Sequence, residues 1–270
     1  GGTGAAALRL LKREVYKQLE PDNGDGEIPE YRNIKFLLLD SDDGGLPKGQ
    51  ERDYSDLDVD TELFNLYVPN MNAHFVKGTF NNKKQFDWLN RGIKPEDAGK
   101  GANGVRQIGR YQLFIYAQSL RNKLETIINS ALEGQNEITI HIFAGISGGT
   151  GSGCFLDTCY IVRDILAEMN RSDSLVCGYF FLPDVNLANP ELSELKKIGI
   201  KINGYAALKE LDYVMQLHER EDWFEQSYGS FSIKTQEAPV RLCYLLSATD
   251  AQGRNVVNGY DYAINVAVSH

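Results

Sequence analysis

Residues 145–153 read GISGGTGSG, five glycines in nine residues. The apolar run ITIHIFA leads into them and CFLDTCYIVRDILAEM leads out. A strand entering and a helix leaving place this bare backbone at a strand-to-helix turn. Glycine there admits positive φ and direct contact between ligand and main chain. The helix that follows turns its free N–H groups and the positive end of its dipole toward the same point. The bland reading is a flexible turn. The sharper one is a loop whose amides wrap a phosphate, with Ser147, Thr150 and Ser152 adding hydroxyls.

Two further glycine segments stand before helical patterns: GGTG at 1–4 and GKGANG at 99–104. Three loops converging could hold a triphosphate without a lysine, since each charge-assisted amide bond is worth roughly 1.5–3 kcal/mol. A P-loop would read GxxxxGK[ST], and no glycine-lysine-hydroxyl run of that kind occurs. A dinucleotide fingerprint would be GxGxxG beside the first strand, which GGTGAA matches poorly. An NAD-binding oxidoreductase is therefore a weaker rival.

The rest of the chain alternates between the two periodicities. LRLLKREVYKQL is an amphipathic helix, and NIKFLLLD is a buried strand ending in acids. Helices are expected over Tyr111–Leu132, Gly151–Met169 and Gly204–Leu217, with strands at EITIHIFAG, LVCGYFFLP and VRLCYLLS. FNLYVP and HFVKGTF read as short strands, FDWL as a turn of helix, and PDNGDGEIPEYRN and GLPKGQERDYSDLDVD as linker and exposed loop. EREDWFE reads as a solvated acidic face. The alternation predicts an α/β fold: a doubly wound, mostly parallel sheet with helices on both faces. In such sheets ligands bind beyond the carboxyl ends of the strands.

Composition narrows the partners. A formal net charge of −9 gives nucleic acid no basic face to bind. No apolar run approaches the roughly 20 residues that span a membrane. Cys154, Cys159, Cys177 and Cys243 follow no metal spacing and lie in apolar segments, so they read as reduced thiols of a cytoplasmic protein.

GGTGSG at 148–153 is identified as the signature of the tubulin and FtsZ superfamily of GTPases, and other segments match in order along nearly the whole chain. GGTG with its helix resembles that family's first phosphate loop, LLLDSDD the second, GKGANG the third, and FFLPD the sugar-side loop. INGYAALKEL and GYDYAINVAVS resemble the helices that read sugar and base. The opening GGTGAAALRLLK is similar to that of bacterial tubulin-like proteins.

The resemblance implies a ligand, GTP or GDP with Mg²⁺, and a set of contacts. Gly148, Gly149, Thr150, Gly151, Ser152 and Gly153 would cradle the phosphates, with Gly2, Thr3 and Gly4 closing over the β-phosphate region. Gly101, Ala102, Asn103 and Gly104 would face the γ-phosphate, and Asp40 and Asp42 would hold Mg²⁺ through waters. Asn203 would reach the sugar, Asn265 would read the guanine edge, and Tyr262 or Tyr260 would stack on it. The resemblance also implies a GTPase that self-associates head to tail, its catalytic acid supplied by a loop beyond residue 270. A first strand ahead of Gly1 and a C-terminal domain are implied likewise, with residues 44–98 as a family-specific insertion in a domain spanning 1–270. The alternative is a non-polymerising nucleotide-binding module that serves a partner protein.

The residues themselves leave choices open. Asp40 and Asp42 are either metal contacts or turn residues. Arg106 and Arg110 either neutralise phosphate or are solvated helix residues. Asn203 either reaches the sugar or caps its helix. Tyr260 and Tyr262 either stack on a base or pack. Asp250 is a further sugar-side candidate, and His141 reads as a satisfied strand residue.

Overall fold

A computed structural model describes residues 1–19, 33–42, 57–76, 86–90, 92–93 and 101–269. Residues 21–32 of the expected linker, 45–56 of the expected loop, 77–80 of HFVKGTF, and Gly99 and Lys100 lie outside the described residues. The described elements are α1 (Gly2–Leu19), β1 (Leu38–Asp40), β2 (Leu63–Asn65), α2 (Met71–Val76), α3 (Arg106–Ala131), β3 (Thr139–Gly145) and α4 (Thr150–Glu168). They continue with β4 (Leu175–Phe181), α5 (Pro183–Leu187), α6 (Glu194–Met215), β5 (Phe224–Ser227), β6 (Ser232–Thr235), β7 (Leu242–Leu246) and α7 (Gly259–Ser269).

The fold is mixed α/β with parallel sheets. β3, β4 and β7 form a parallel sheet in that order, with Ile142 opposite Gly178 and Gly178 opposite Cys243. Successive side chains of β4 point to opposite faces. Val176 and Phe180 join a core with Phe155 and Leu166 of α4, while Cys177, Tyr179 and Phe181 join Ala7 of α1 and Ala263 and Ala267 of α7. Both faces of β4 are thus covered by helices, which is why its sequence is apolar without alternation.

β1 and β2 form a second parallel pair, Leu39 opposite Phe64. β5 and β6 form an antiparallel hairpin, Gln226 opposite Ile233. Among the described residues the strands therefore fall into three sheets rather than one. Between β1 and β3 lies a cavity of about 560 Å³, lined by apolar side chains that include Leu8, Val15, Leu39, Ile140, Ile142 and Val162.

Two elements differ from the sequence expectation, each for a tertiary reason. His74–Val76 end helix α2 instead of starting a strand. Met71 and Phe75, one turn apart, turn to the same side, where Phe75 meets Tyr111 edge-on at 5.5 Å. α6 begins ten residues before Gly204, because the Ser193 hydroxyl accepts from Lys196 N at 3.4 Å and caps the helix. The acids of EREDWFE are exposed, as expected, while Phe224 within it opens β5 and stacks its ring on Tyr160 of α4 at 3.7 Å.

The four cysteines are free; Cys154, Cys159 and Cys177 are buried and Cys243 is half-buried. Burial pushes the Cys154 thiol up to about 12 and raises Cys159 and Cys177 as well. A thiolate-selective reagent at pH 8 should therefore leave Cys154, Cys159 and Cys177 unmodified in the native protein and label all four thiols after denaturation. Rapid native labelling of Cys154, read by mass spectrometry, would contradict this packing.

Candidate functional site

The site is built by close approach between helices α3 and α4. A methyl group on Gly109 would stand 2.4 Å from Gly149 O, and one on Gly153 would stand 2.2 Å from Arg106 O. Only glycine lets the two backbones meet this closely. The Cys154 thiol seals the contact by donating to Gly109 O at 3.2 Å. The consequence is positional: the turn 101–104, just ahead of α3, lies against the loop 147–149, just ahead of α4. A methyl on Gly149 would fall 2.7 Å from Ala102 Cβ and 2.9 Å from Gly104 N.

The turn 101–104 needs its composition. Gly101, Asn103 and Gly104 all have positive φ, at 55°, 43° and 77°. Val105 N closes the turn onto Ala102 O at 2.8 Å. That closure starts α3 at Arg106, five residues before the expected Tyr111.

The first glycine segment reaches the same place. Gly1 lies against the start of α4, where an added methyl would be 3.3 Å from Gly151 N. Its amino group donates to Leu39 O at 2.6 Å, tying it to β1. Gly4 is pressed on β3, where a methyl would stand 2.8 Å from Phe143 O. All three glycine segments thus converge on the N-terminal end of α4.

That end is left open. Gly149 is the N-cap of α4, and no side chain caps it. The first N–H groups of the helix, from Thr150 to Ser152, have no carbonyl one turn back to meet. Gly148 and Gly2 face open space, with nothing within 4 Å of an added methyl. The arrangement suits an anion held by main-chain amides.

The hydroxyls expected to help are engaged by the protein itself. Ser147 Oγ donates to Asn186 Oδ1 at 3.0 Å, and Ser152 Oγ accepts from Arg106 Nε at 3.2 Å. Thr150 Oγ1 shares a 2.5 Å hydrogen bond with Ser41 Oγ. Thr3 is buried; its hydroxyl accepts from Asn186 Nδ2 at 3.4 Å and hydrogen-bonds Tyr260.

Two residues that sequence reasoning missed link the loops. Ser41 is 1 % exposed; besides Thr150 it accepts from Ala102 N at 3.1 Å, so it joins the turn after β1 to the other two loops. Asn186 joins Ser147 to Thr3. Neither lies in a glycine run. Their only signal was adjacency to LLLD and FFLPD, segments already implicated.

Asn203 lies in the middle of α6 and does not cap it. Its Nδ2 donates to Gly104 O at 2.7 Å, Ser147 O at 3.1 Å and Gly148 O at 3.3 Å. The two arginines also differ from both expectations. Arg106 holds Glu210 of α6 at 2.5 Å as well as Ser152, and is neither solvated nor held free for phosphate. Arg110 makes a two-pronged pair with Asp157, at 2.8 and 3.1 Å, and lies 4.5 Å from the Trp88 ring centre. Burial works against the Arg110 charge, but the Asp157 carboxylate outweighs it and holds the guanidinium above its ordinary value.

The acids after β1 form a turn. Asp40 Oδ1 accepts from Ser41 N at 2.7 Å and Asp42 N at 3.3 Å, while Oδ2 stands 4.0 Å from the Gly1 amine. No group of three or more metal-ligating side chains exists among the described residues. Two carboxylates on one turn, joined through Ser41 to Thr150, suit an ion held largely by water and phosphate oxygens.

At the far side, Tyr262 and Asn265 are exposed on α7, and Asn265 Nδ2 donates to Asp261 O within the same helix at 2.7 Å. No hydrogen bond among the described residues joins either to the glycine loops. Tyr260 is the α7 residue that reaches Thr3. Asp250 is engaged in a local turn with Arg254, 2.7 Å away. His141 Nδ1 lies 3.2 Å from Tyr179 Oη, a strand residue satisfied within the sheet.

No described helix is long and apolar enough to cross a membrane. No curated protein matches the chain. A family model described as tubulin like matches residues 1–270. With its glycine loops gathered at one helix end, the chain belongs to the tubulin-like family.

Proposed function

We propose that this chain binds GTP and GDP and acts as the nucleotide-binding domain of a filament-forming GTPase. The observation that carries the reading is the convergence of three glycine segments on the uncapped N-terminus of α4. Backbone N–H groups of 148–153 would hold the phosphates, and the turn 101–104 would face the γ-phosphate. Gly2, Thr3 and Gly4 would line the side where α1 begins. Asp40 and Asp42 would hold Mg²⁺ through waters; the ion, when bound, offsets charge developing on the γ-phosphate. Asn265 and Tyr262 belong to the base side of the same reading.

Head-to-tail association is part of the proposal, because heterologous contacts that do not close make filaments. α6 supplies exposed apolar surface for it: Leu195, Ile198, Ile202 and Tyr205 are all more than half exposed along one stripe. The doubly wound sheet is part of the same reading: the parallel pair β1–β2 and the parallel sheet β3–β4–β7 would belong to one sheet. A cytoplasmic setting fits the four free thiols.

A thermal-shift panel tests the ligand. GTP or GDP at a hundred times its dissociation constant should add about 2.7 kcal/mol, roughly 5 °C for a chain of this size, and more with Mg²⁺. ATP and NAD should give little. No shift with either guanine nucleotide would sink the proposal. Nucleotide-dependent light scattering then separates a filament from a soluble binding module.

A further inference from the structure

A second cavity, of about 500 Å³, lies where α3, α4 and α6 meet the start of the β5–β6 hairpin. Cavities that hold small molecules run to roughly 300–1,000 Å³, with mostly apolar walls and a few placed polar groups. This one has that division. Trp88, Val214 and Phe224 give it apolar wall, and Arg106, Arg110 and Lys209 bring cations to it. Helical spacing puts them there. Arg106 and Arg110 lie one turn apart on α3, and Glu210 and Val214 one turn apart on α6, so each helix turns both members of its pair to the same side.

The charges of the lining do not cancel. Its two acids are Asp157 and Glu210. Asp157 accepts from Arg110 at 2.8 and 3.1 Å, and Glu210 accepts from Arg106 at 2.6 and 2.5 Å. Each acid is matched by one arginine. Lys209 is the surplus cation: it is exposed and bonds to no other described residue. Three cations against two acids leave a single positive charge at the cavity, in a chain whose net charge is −9.

The apolar wall is held in place. The Arg110 guanidinium lies 4.5 Å from the Trp88 ring centre, and the Phe224 ring stacks on Tyr160 at 3.7 Å. Two fixed aromatic rings favour a flat ligand, because rings pack on rings by offset or edge contact. One surplus cation favours a monoanion over a phosphate dianion, whose second charge would go unmatched.

We propose that this cavity is a binding site for a small aromatic monocarboxylate, its ring against Trp88, Val214 and Phe224 and its carboxylate beside Lys209. The site goes beyond the nucleotide reading and stands without it.

The chain has two tryptophans, and Trp223 is exposed and outside the cavity lining. Trp223→Phe therefore leaves Trp88 as the only indole, a reporter within the site. The probe is 3-(4-nitrophenyl)propanoate, whose nitrophenyl ring quenches indole emission on contact. Its neutral amide has the same shape and no charge. The acid should quench Trp88 saturably with a dissociation constant of about 1 mM or below, the affinity expected of so small a ligand. The amide should bind about fivefold more weakly, the size of a partly exposed ion pair.

Lys209→Ala should weaken the acid by the same factor and leave the amide unchanged, and Lys209→Arg should restore the acid. Lys209 contacts no other described side chain by hydrogen bond or ion pair, so these variants should melt with the parent. Equal affinity for acid and amide, or an acid that ignores Lys209→Ala, would overturn the proposal. So would calorimetric binding without quenching of Trp88, which places the probe elsewhere, such as the apolar cavity between β1 and β3. Absence of binding up to about 10 mM overturns it outright.

Discussion

Asp157→Ala should lower the unfolding free energy by about 3 kcal/mol, near the lower end of what breaking a buried ion pair costs. Asp157 is 3 % exposed and is the only carboxylate within salt-bridge distance of Arg110 among the described residues. It also accepts from Tyr228 Oη at 2.6 Å. Burial, reinforced by the Asp157 charge, pushes Tyr228 well above its ordinary value, so the phenol stays a neutral donor. Removing the carboxylate leaves a guanidinium under Trp88 and a buried phenol without their shared acceptor. The cluster ties α3, α4 and the β5–β6 hairpin together, since Gln226 Oε1 also accepts from Arg110 at 3.1 Å.

The urea midpoint should fall with little change in slope. The double variant Asp157→Leu with Arg110→Met should recover most of the loss, because replacing both charges avoids stranding either one. An unchanged midpoint in Asp157→Ala would show that the pair is solvated. Nucleotide affinity at saturating folded protein should change little, since none of these groups faces the open end of α4.

The second large effect concerns glycines that look alike in sequence. Gly148→Asp should abolish GTP binding, at least a hundredfold in affinity or about 2.7 kcal/mol, while the melting temperature holds. An added methyl at 148 meets nothing within 4 Å, so the fold has room for the side chain. A carboxylate near the N-terminal end of α4 is itself favourable to the helix dipole. It would occupy the position of the ligand's charge and repel the phosphate. Gly153→Val should behave differently: its side chain would meet Arg106 O at 2.2 Å and prise α3 from α4. Its melting temperature should drop by several degrees and binding should vanish with the fold.

Gly149→Val and Gly151→Val belong with Gly153. Added methyls there would stand 2.7 Å from Ala102 Cβ and 2.5 Å from Gly145 O. The packing makes both changes structural. Wild-type GTP affinity in Gly148→Asp would remove the phosphate loop from the candidate site.

Along the chain, the glycine runs marked the close backbone approaches around the candidate site because glycine is a local signal: it marks where backbone must bend or come close. The apolar runs located β3, β4, β7 and α4 because a buried element must be apolar on its buried faces. Contacts between distant residues left no such trace. Nothing in the neighbourhood of Ser41, Asn186 or Asn203 says which loops they will join, because each partner lies from 39 to 183 positions away. Nor does the sequence distinguish Gly148 from Gly153. That difference exists only once α3 lies against α4, where one glycine faces open space and the other faces a carbonyl oxygen. The sequence by itself determined which residues could form a phosphate loop. The packing of α3, α4 and α6 decided which of them keep their amides free, because a hydrogen bond or a steric contact depends on distance in space rather than separation along the chain.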